Sequence, residues 1–176
     1  MKFFLTPLGI LFLLVSCNMQ TPENYFDRTT LNTNKLVQFG SEDLIRYAEL
    51  QNSGNLFMMK EGEMEKTDKI EAYISTYVIP DLEHNIGQIE NLRPTDDTKV
   101  MIEKSIHLFN YAKATYQKEY LTIAKMIDNG EKVDTINSAL AELDSLKGKE
   151  FFVLFDDLWE VALPYAKANG IEVKTY

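Results

Sequence analysis

Residues 95–130 read TDDTKVMIEKSIHLFNYAKATYQKEYLTIAKMIDNG, and this stretch decides the fold. Ile102, Ile106, Phe109, Tyr116, Tyr120, Ile123 and Ile127 follow one another at intervals of three, four or seven. That spacing places them on one stripe of an α-helix, with Ala112 and Ala124 beside it. Lys99, Glu103, His107, Asn110 and Lys118 fall off the stripe. Thr95, Asp96 and Asp97 suit the start, where oxygens and negative charge meet the free amides of a first turn. Asn129-Gly130 marks the end.

The same period extends in both directions. Downstream, Val133, Ile136, Leu140, Leu143, Phe151, Leu154, Leu158, Val161 and Tyr165 predict a helix, with Gly148 as a bend or interruption. Phe151 to Phe155 are all apolar, and the flanking periodicity favours helix over strand there. Asn169-Gly170 reads as a left-handed C-cap, with Ile171 folding back over the last turn. Upstream, Ile70, Ile74, Tyr77, Val78, Leu82, Ile86 and Ile89 predict another helix. It starts near Leu56 or near Asp68, where Asp68 and Glu71 resemble a capping pair, and Gly62 weakens what precedes it. Pro80 inside it deletes a hydrogen bond and predicts a kink.

The first segment carries only a partial stripe: Leu36, Val37, Leu44, Tyr47, Ala48 and Gln51. Residues 27–52 read either as one helix or as two, with a break at Gly40-Ser41 and Ser41 as the cap. Short connections make consecutive helices antiparallel. The expected fold is therefore all-α: an up-down-up-down bundle of three to four long helices in one domain, residues 27–176. The last six residues, Ile171 to Tyr176, alternate weakly and suit a short extended end.

Composition narrows the function. The chain has 176 residues, 18 Lys+Arg against 27 Asp+Glu, and one Cys. It lacks the basic surplus that binds a phosphate backbone. A single Cys rules out a disulfide framework, a CxxC redox pair and a Cys-rich zinc site. No G-x-S-x-G, G-x-x-x-x-G-K or G-x-G-x-x-G occurs, so nucleophile-elbow and phosphate-cradling chemistry has no support. The expectation is a non-enzyme with no cofactor.

Residues 1–16 read MKFFLTPLGILFLLVS. One cation and an apolar run from Phe3 to Val15 match a secretory signal, and the run is short for a spanning helix. The next residue is Cys17, and Leu14-Val15-Ser16-Cys17 resembles the lipobox of bacterial lipoproteins. The resemblance covers about the first twenty residues and implies cleavage before Cys17, a diacylglyceryl group on its sulfur and an N-acyl chain. Two or three chains make such an anchor stable. Residues 17–26 would then be the lipidated Cys and a polar tether. In enterobacterial lipoproteins Asp after the Cys favours the inner membrane, and in some Bacteroidetes lipoproteins an acidic cluster there favours the cell surface. Here Asn18 follows, with no acid before Glu23. The resemblance thus implies an outer membrane facing the periplasm, with the outer face of a Gram-positive membrane or the cell surface as the alternative. Losing Lys2 with the signal makes the body one unit more negative than −9, so it is repelled by anionic head groups.

Three constellations remain. His84 and His107 lie at similar height in an antiparallel hairpin, each with a carboxylate one turn before, Asp81 and Glu103. Di-iron bundles use inward Glu-x-x-His pairs; both histidines here fall opposite the apolar stripes, so no metal site is expected. Tyr73, Tyr77, Tyr116, Tyr120, Phe109, Phe151, Phe155 and Trp159 form core layers or, alternatively, an aromatic-lined cavity with Tyr77, Tyr116, Tyr120 and Trp159 on a ligand. Asp156, Asp157 and Glu160 make an acidic face suited to a cationic partner, with a second acidic stretch at Glu61, Glu63 and Glu65. Together these point to a tethered module that binds an envelope protein without catalysis, an immunity or inhibitor role being one version of it.

Overall fold

The computed structural model describes residues 20–60 and 62–173. The expected signal and lipobox with Cys17, Glu61 and the tail 174–176 lie outside them. Helix α1 spans Pro22–Thr30, followed by a 3₁₀ segment Leu31–Leu36, and helix α2 spans Ser41–Asn52. Strands β1 (Phe57–Lys60) and β2 (Glu63–Lys66) form an antiparallel hairpin. Three long helices complete the chain: α3 over 70–90, α4 over 99–128 and α5 over 133–168. The fold is an all-α bundle.

α4 lies between its two neighbours and runs antiparallel to both. Its C-terminal Asp128 meets Ile70 at the start of α3, and its Lys104 pairs with Asp157 of α5. The α1–α2 segment supplies the fourth column. Tyr25 donates to the Arg93 carbonyl at one end, Lys35 pairs with Asp81 midway, and Gln51 donates to Asp128 at the other. Of the predicted α4 stripe, Ile102, Phe109, Tyr116, Tyr120 and Ile123 are buried, and Met101, Ser105 and Leu108 join them because neighbours cover α4 on more than one side.

Part of the stretch 17–26 expected to be a polar tether is helical, since α1 begins at Pro22. Thr21 caps α1 by accepting from the Asn24 amide at 3.2 Å, and Pro22 occupies the first turn, where its missing N–H costs nothing. Tyr25 and Phe26 are already in the core. The fourth column is two helices, broken over 31–40. Thr29 and Thr30 bond back to the Tyr25 and Phe26 carbonyls, and the chain tightens into 3₁₀ geometry. Gly40 then takes φ +119°, where a Cβ would strike the Asp144 carboxylate. Ser41 is not the cap. Its N–H and hydroxyl both donate to Asp144 of α5, at 2.7 and 2.5 Å.

The start of α3 is also capped from another helix. Asp128 accepts from the Ile70 and Glu71 amides at 2.9 and 3.0 Å, in place of the predicted Asp68–Glu71 pair. The hairpin occupies the stretch where a longer α3 was the alternative, and Gly62 turns it at φ +85°. Around Pro80 the backbone leaves α geometry as a π turn over Ile74–Val78, and Pro80 falls in the first turn of the segment that resumes at Ile79. α4 and α5 each contain one as well, Tyr116–Tyr120 and Asp144–Gly148. The interruption expected at Gly148 is this π turn. At the end of α5, Gly170 has φ +69° and the Ile171 amide donates to the Ala166 carbonyl at 2.9 Å, closing a left-handed cap. No helix among the described residues is long and apolar enough to cross a membrane.

Candidate functional site

The break in the fourth column meets the π turns of α4 and α5. Phe39 fills the gap: its ring stacks on Phe151 of α5 at 4.0 Å and lies 5.9 and 5.6 Å from Tyr116 and Tyr120 of α4. The Gly40 amide donates to the Tyr120 hydroxyl at 2.5 Å. One long side chain and one glycine thus replace a turn of helix, and the replacement leaves an open cleft on each side.

The cleft on the α3 side has a volume of about 380 Å³. Its walls are the 34–38 segment, Arg46 and Tyr47 of α2, and Tyr73, Tyr77 and Asp81 of α3, with Tyr116 at its inner edge. Tyr47 and Tyr73 meet edge to face at 5.1 Å, and Tyr73 and Tyr77 are 5.5 Å apart. The π turn of α3 sets Tyr77 at the rim.

Asp43 lies beneath, with no solvent exposure. It accepts from the Tyr116 hydroxyl at 2.5 Å and from Arg46 Nη2 at 2.8 Å. Burial raises the Asp43 pKa, while the Tyr116 and Arg46 bonds pull it down. Burial likewise raises the phenols of Tyr47, Tyr116 and Tyr120, so these rings stay neutral hydrogen-bonding groups. Arg46 sits 4.8 Å above the Tyr47 ring and its side chain is 42% exposed. Asp43 and Tyr47 hold the guanidinium in place while part of it faces the cleft. Arg46 Nε is buried without a hydrogen-bond partner. A fixed Arg over a tyrosine floor is pre-organised for polar recognition, since little side-chain freedom remains to be lost.

The second cleft, of about 480 Å³, opens on the α5 side between Val37, Ser41, Asp144, Lys149 and Phe152. Val37 and Phe152 are 53% and 42% exposed and Tyr77 is 37% exposed, so apolar and aromatic surface flanks the break on both sides.

The other predicted residues are scattered. Tyr116 and Tyr120 lie 4.0 Å apart with tilted rings inside the core, Tyr77 is at the cleft rim, and Trp159 packs edge-on to Phe26 at 6.1 Å elsewhere. The four do not form one cavity wall. Tyr77 and Tyr116 do share the α3-side cleft. Asp156 and Glu160 are exposed, and Asp157 pairs with Lys104 at 3.2 Å. His84 and His107 are both on the surface, and His84 contacts Gln88. Among the described residues no three His, Cys, Asp or Glu side chains gather as a metal site.

Asp43 and Arg46 escaped the sequence reading. The available signal was Asp43 one turn before Tyr47, a carboxylate on an otherwise apolar stripe. Comparison with family models, curated proteins and solved structures finds no match for the chain.

Proposed function

We propose that this chain is a lipid-anchored protein of the cell envelope that works by non-catalytic binding of a partner protein. The anchor is the diacylglyceryl and N-acyl groups on Cys17. The membrane is the outer membrane, with the body on its periplasmic side. Confinement to a surface raises the effective concentration of a partner, so modest contacts suffice. The observation that carries the binding reading is the interrupted column, with Arg46, Tyr77, Val37 and Phe152 exposed around it. Tyrosine and arginine on a rigid support are the side chains that dominate protein interfaces. This face displaces the acidic Asp156/Glu160 face as the first candidate for docking. Asp157 is already partnered there.

A small ligand in the α3-side cleft is the second reading, favoured by its volume of about 380 Å³. Site-specific photo-crosslinking separates the cases. A crosslinking residue at Tyr77 should yield one discrete adduct in intact envelopes, lost in Arg46→Glu, while the same residue at Asp156 yields none. An adduct from Asp156 alone would return docking to the acidic face. No protein adduct, with chemical shifts at Tyr73 and Tyr77 moved by a small-molecule envelope extract, would favour the ligand.

A further inference from the structure

The first described residue is fixed to the body. Gln20 donates from its side-chain amide to the Asn91 carbonyl at 3.2 Å and accepts from the Arg93 amide at 2.9 Å. One turn on, the Tyr25 hydroxyl donates to the Arg93 carbonyl at 2.6 Å. The chain is thus pinned to the α3–α4 turn three residues after Cys17. Three residues reach at most about 10 Å when fully extended. The head-group layer on one side of a bilayer takes up about 6 Å. An anchor in the acyl region therefore leaves only a few ångströms between the lipid surface and this end of the bundle.

We propose that the end formed by Gln20, the 91–98 turn and the last turns of α5 is a membrane-facing surface seated on lipid head groups. On this arrangement the binding clefts open sideways above the membrane. The proposal rests on the lipid-anchor reading and adds an orientation to it. Tyr165 belongs to the same end, because α5 runs antiparallel to α4 and its last turns lie beside the start of α4. The end face mixes Arg93 and Lys167 with Glu23, Asp96 and Asp97. Such a mixture neither grips nor strongly repels head groups, so the short tether sets the contact. The acidic body is repelled by anionic lipid and does not lie down. At 1.5 Å per residue, Tyr77 stands about 21 Å above Asn91, and Ile70, which meets Asp128 at the opposite end close to Glu131, stands about 32 Å above it. A partner must then present its contact surface some 20 Å clear of the membrane.

The test uses the full lipidated protein in vesicles of three parts phosphatidylethanolamine to one part phosphatidylglycerol, doped with a head-group nitroxide lipid. Cys17 is the only cysteine, so an engineered one takes a unique fluorescent label. Asp96→Cys should be quenched several-fold and Glu131→Cys not at all; Lys167→Cys and Asn52→Cys give an independent pair at exposed positions. Equal quenching at both ends, or quenching at Glu131→Cys alone, overturns the orientation. A Gly/Ser insertion of 20 residues after Met19 should abolish quenching at Asp96→Cys. Quenching that survives the insertion overturns the role of the tether. Flotation with the vesicles is scored first: protein that fails to float refutes the anchor, whereas protein that floats with the wrong quenching pattern refutes only the orientation.

Discussion

The fully buried carboxylate of Asp43 on α2 accepts a hydrogen bond from the Tyr116 hydroxyl on α4 at 2.5 Å, across 73 residues of chain. It ties the broken column to the central helix just below the α3-side cleft. Tyr116→Phe removes the donor and leaves a carboxylate oxygen short of a partner, at a cost of about 2 kcal/mol. In a double-mutant cycle with Asp43→Ala, the coupling energy is of order 1–3 kcal/mol. Chemical denaturation of the four proteins measures it, and additive losses would show that the bond is not formed.

The same carboxyl predicts a pH effect. Its folded pKa lies above the ordinary 3.8, chiefly through burial. Between the two values the folded state binds more protons at Asp43 than the unfolded chain does. The stability Asp43 contributes is complete below its unfolded pKa and is lost as pH rises through the raised folded value. As pH rises from the unfolded value of about 3.8 through the raised folded value, wild type should lose stability relative to Asp43→Asn. Urea midpoints of the two proteins across that window check the sign; a gap that is flat or runs the other way contradicts it.

Two helix starts depend on carboxylates from elsewhere in the chain. Asp128→Ala frees the Ile70 and Glu71 amides and should cost about 1–2 kcal/mol, as a lost cap does. Asp144→Ala should cost a similar amount through Ser41. Asp68→Ala, at the position the local pattern suggests for the cap, should stay within about 0.5 kcal/mol. Equal losses at Asp68 and Asp128 in thermal denaturation would mean that α3 is capped locally.

Phe39 and Phe152 separate packing from recognition. Phe39 is buried against Phe151, and Phe39→Ala should cost about 3–5 kcal/mol. Phe152 is 42% exposed, and Phe152→Ala should cost under about 1 kcal/mol while weakening the Tyr77 crosslink. Denaturation and crosslinking yield on the same preparations test both halves. A large stability loss at Phe152 would make it a core residue.

The long helices were legible because their apolar residues keep the helical period over 20 or more positions. The Gly170 cap was legible because glycine at a helix end has a local meaning, whereas Gly40-Ser41 left one helix or two equally open over 27–52. The hairpin was not: strands of four residues are too short for a period of two to stand out, and Met58, Met59 and Met64 suit helix as well as strand. Nor were the caps at Ile70 and Ser41, whose acceptors lie 58 and 103 residues away. The cleft was half legible. Tyr73, Tyr77 and Tyr116 stood out as aromatics, but their grouping with Arg46 rather than with Trp159 follows from where the fourth column breaks. Nothing local to Arg46 records that.

The proposed anchor and orientation both depend on the chemistry of Cys17, and mass spectrometry of the protein purified from membranes tests it. The mature chain should begin at Cys17, and its N-terminal peptide should carry a diacylglyceryl thioether and an amide-linked acyl chain. An unmodified peptide containing Cys17, recovered from protein in the soluble fraction, would contradict the anchor and the membrane-facing orientation together.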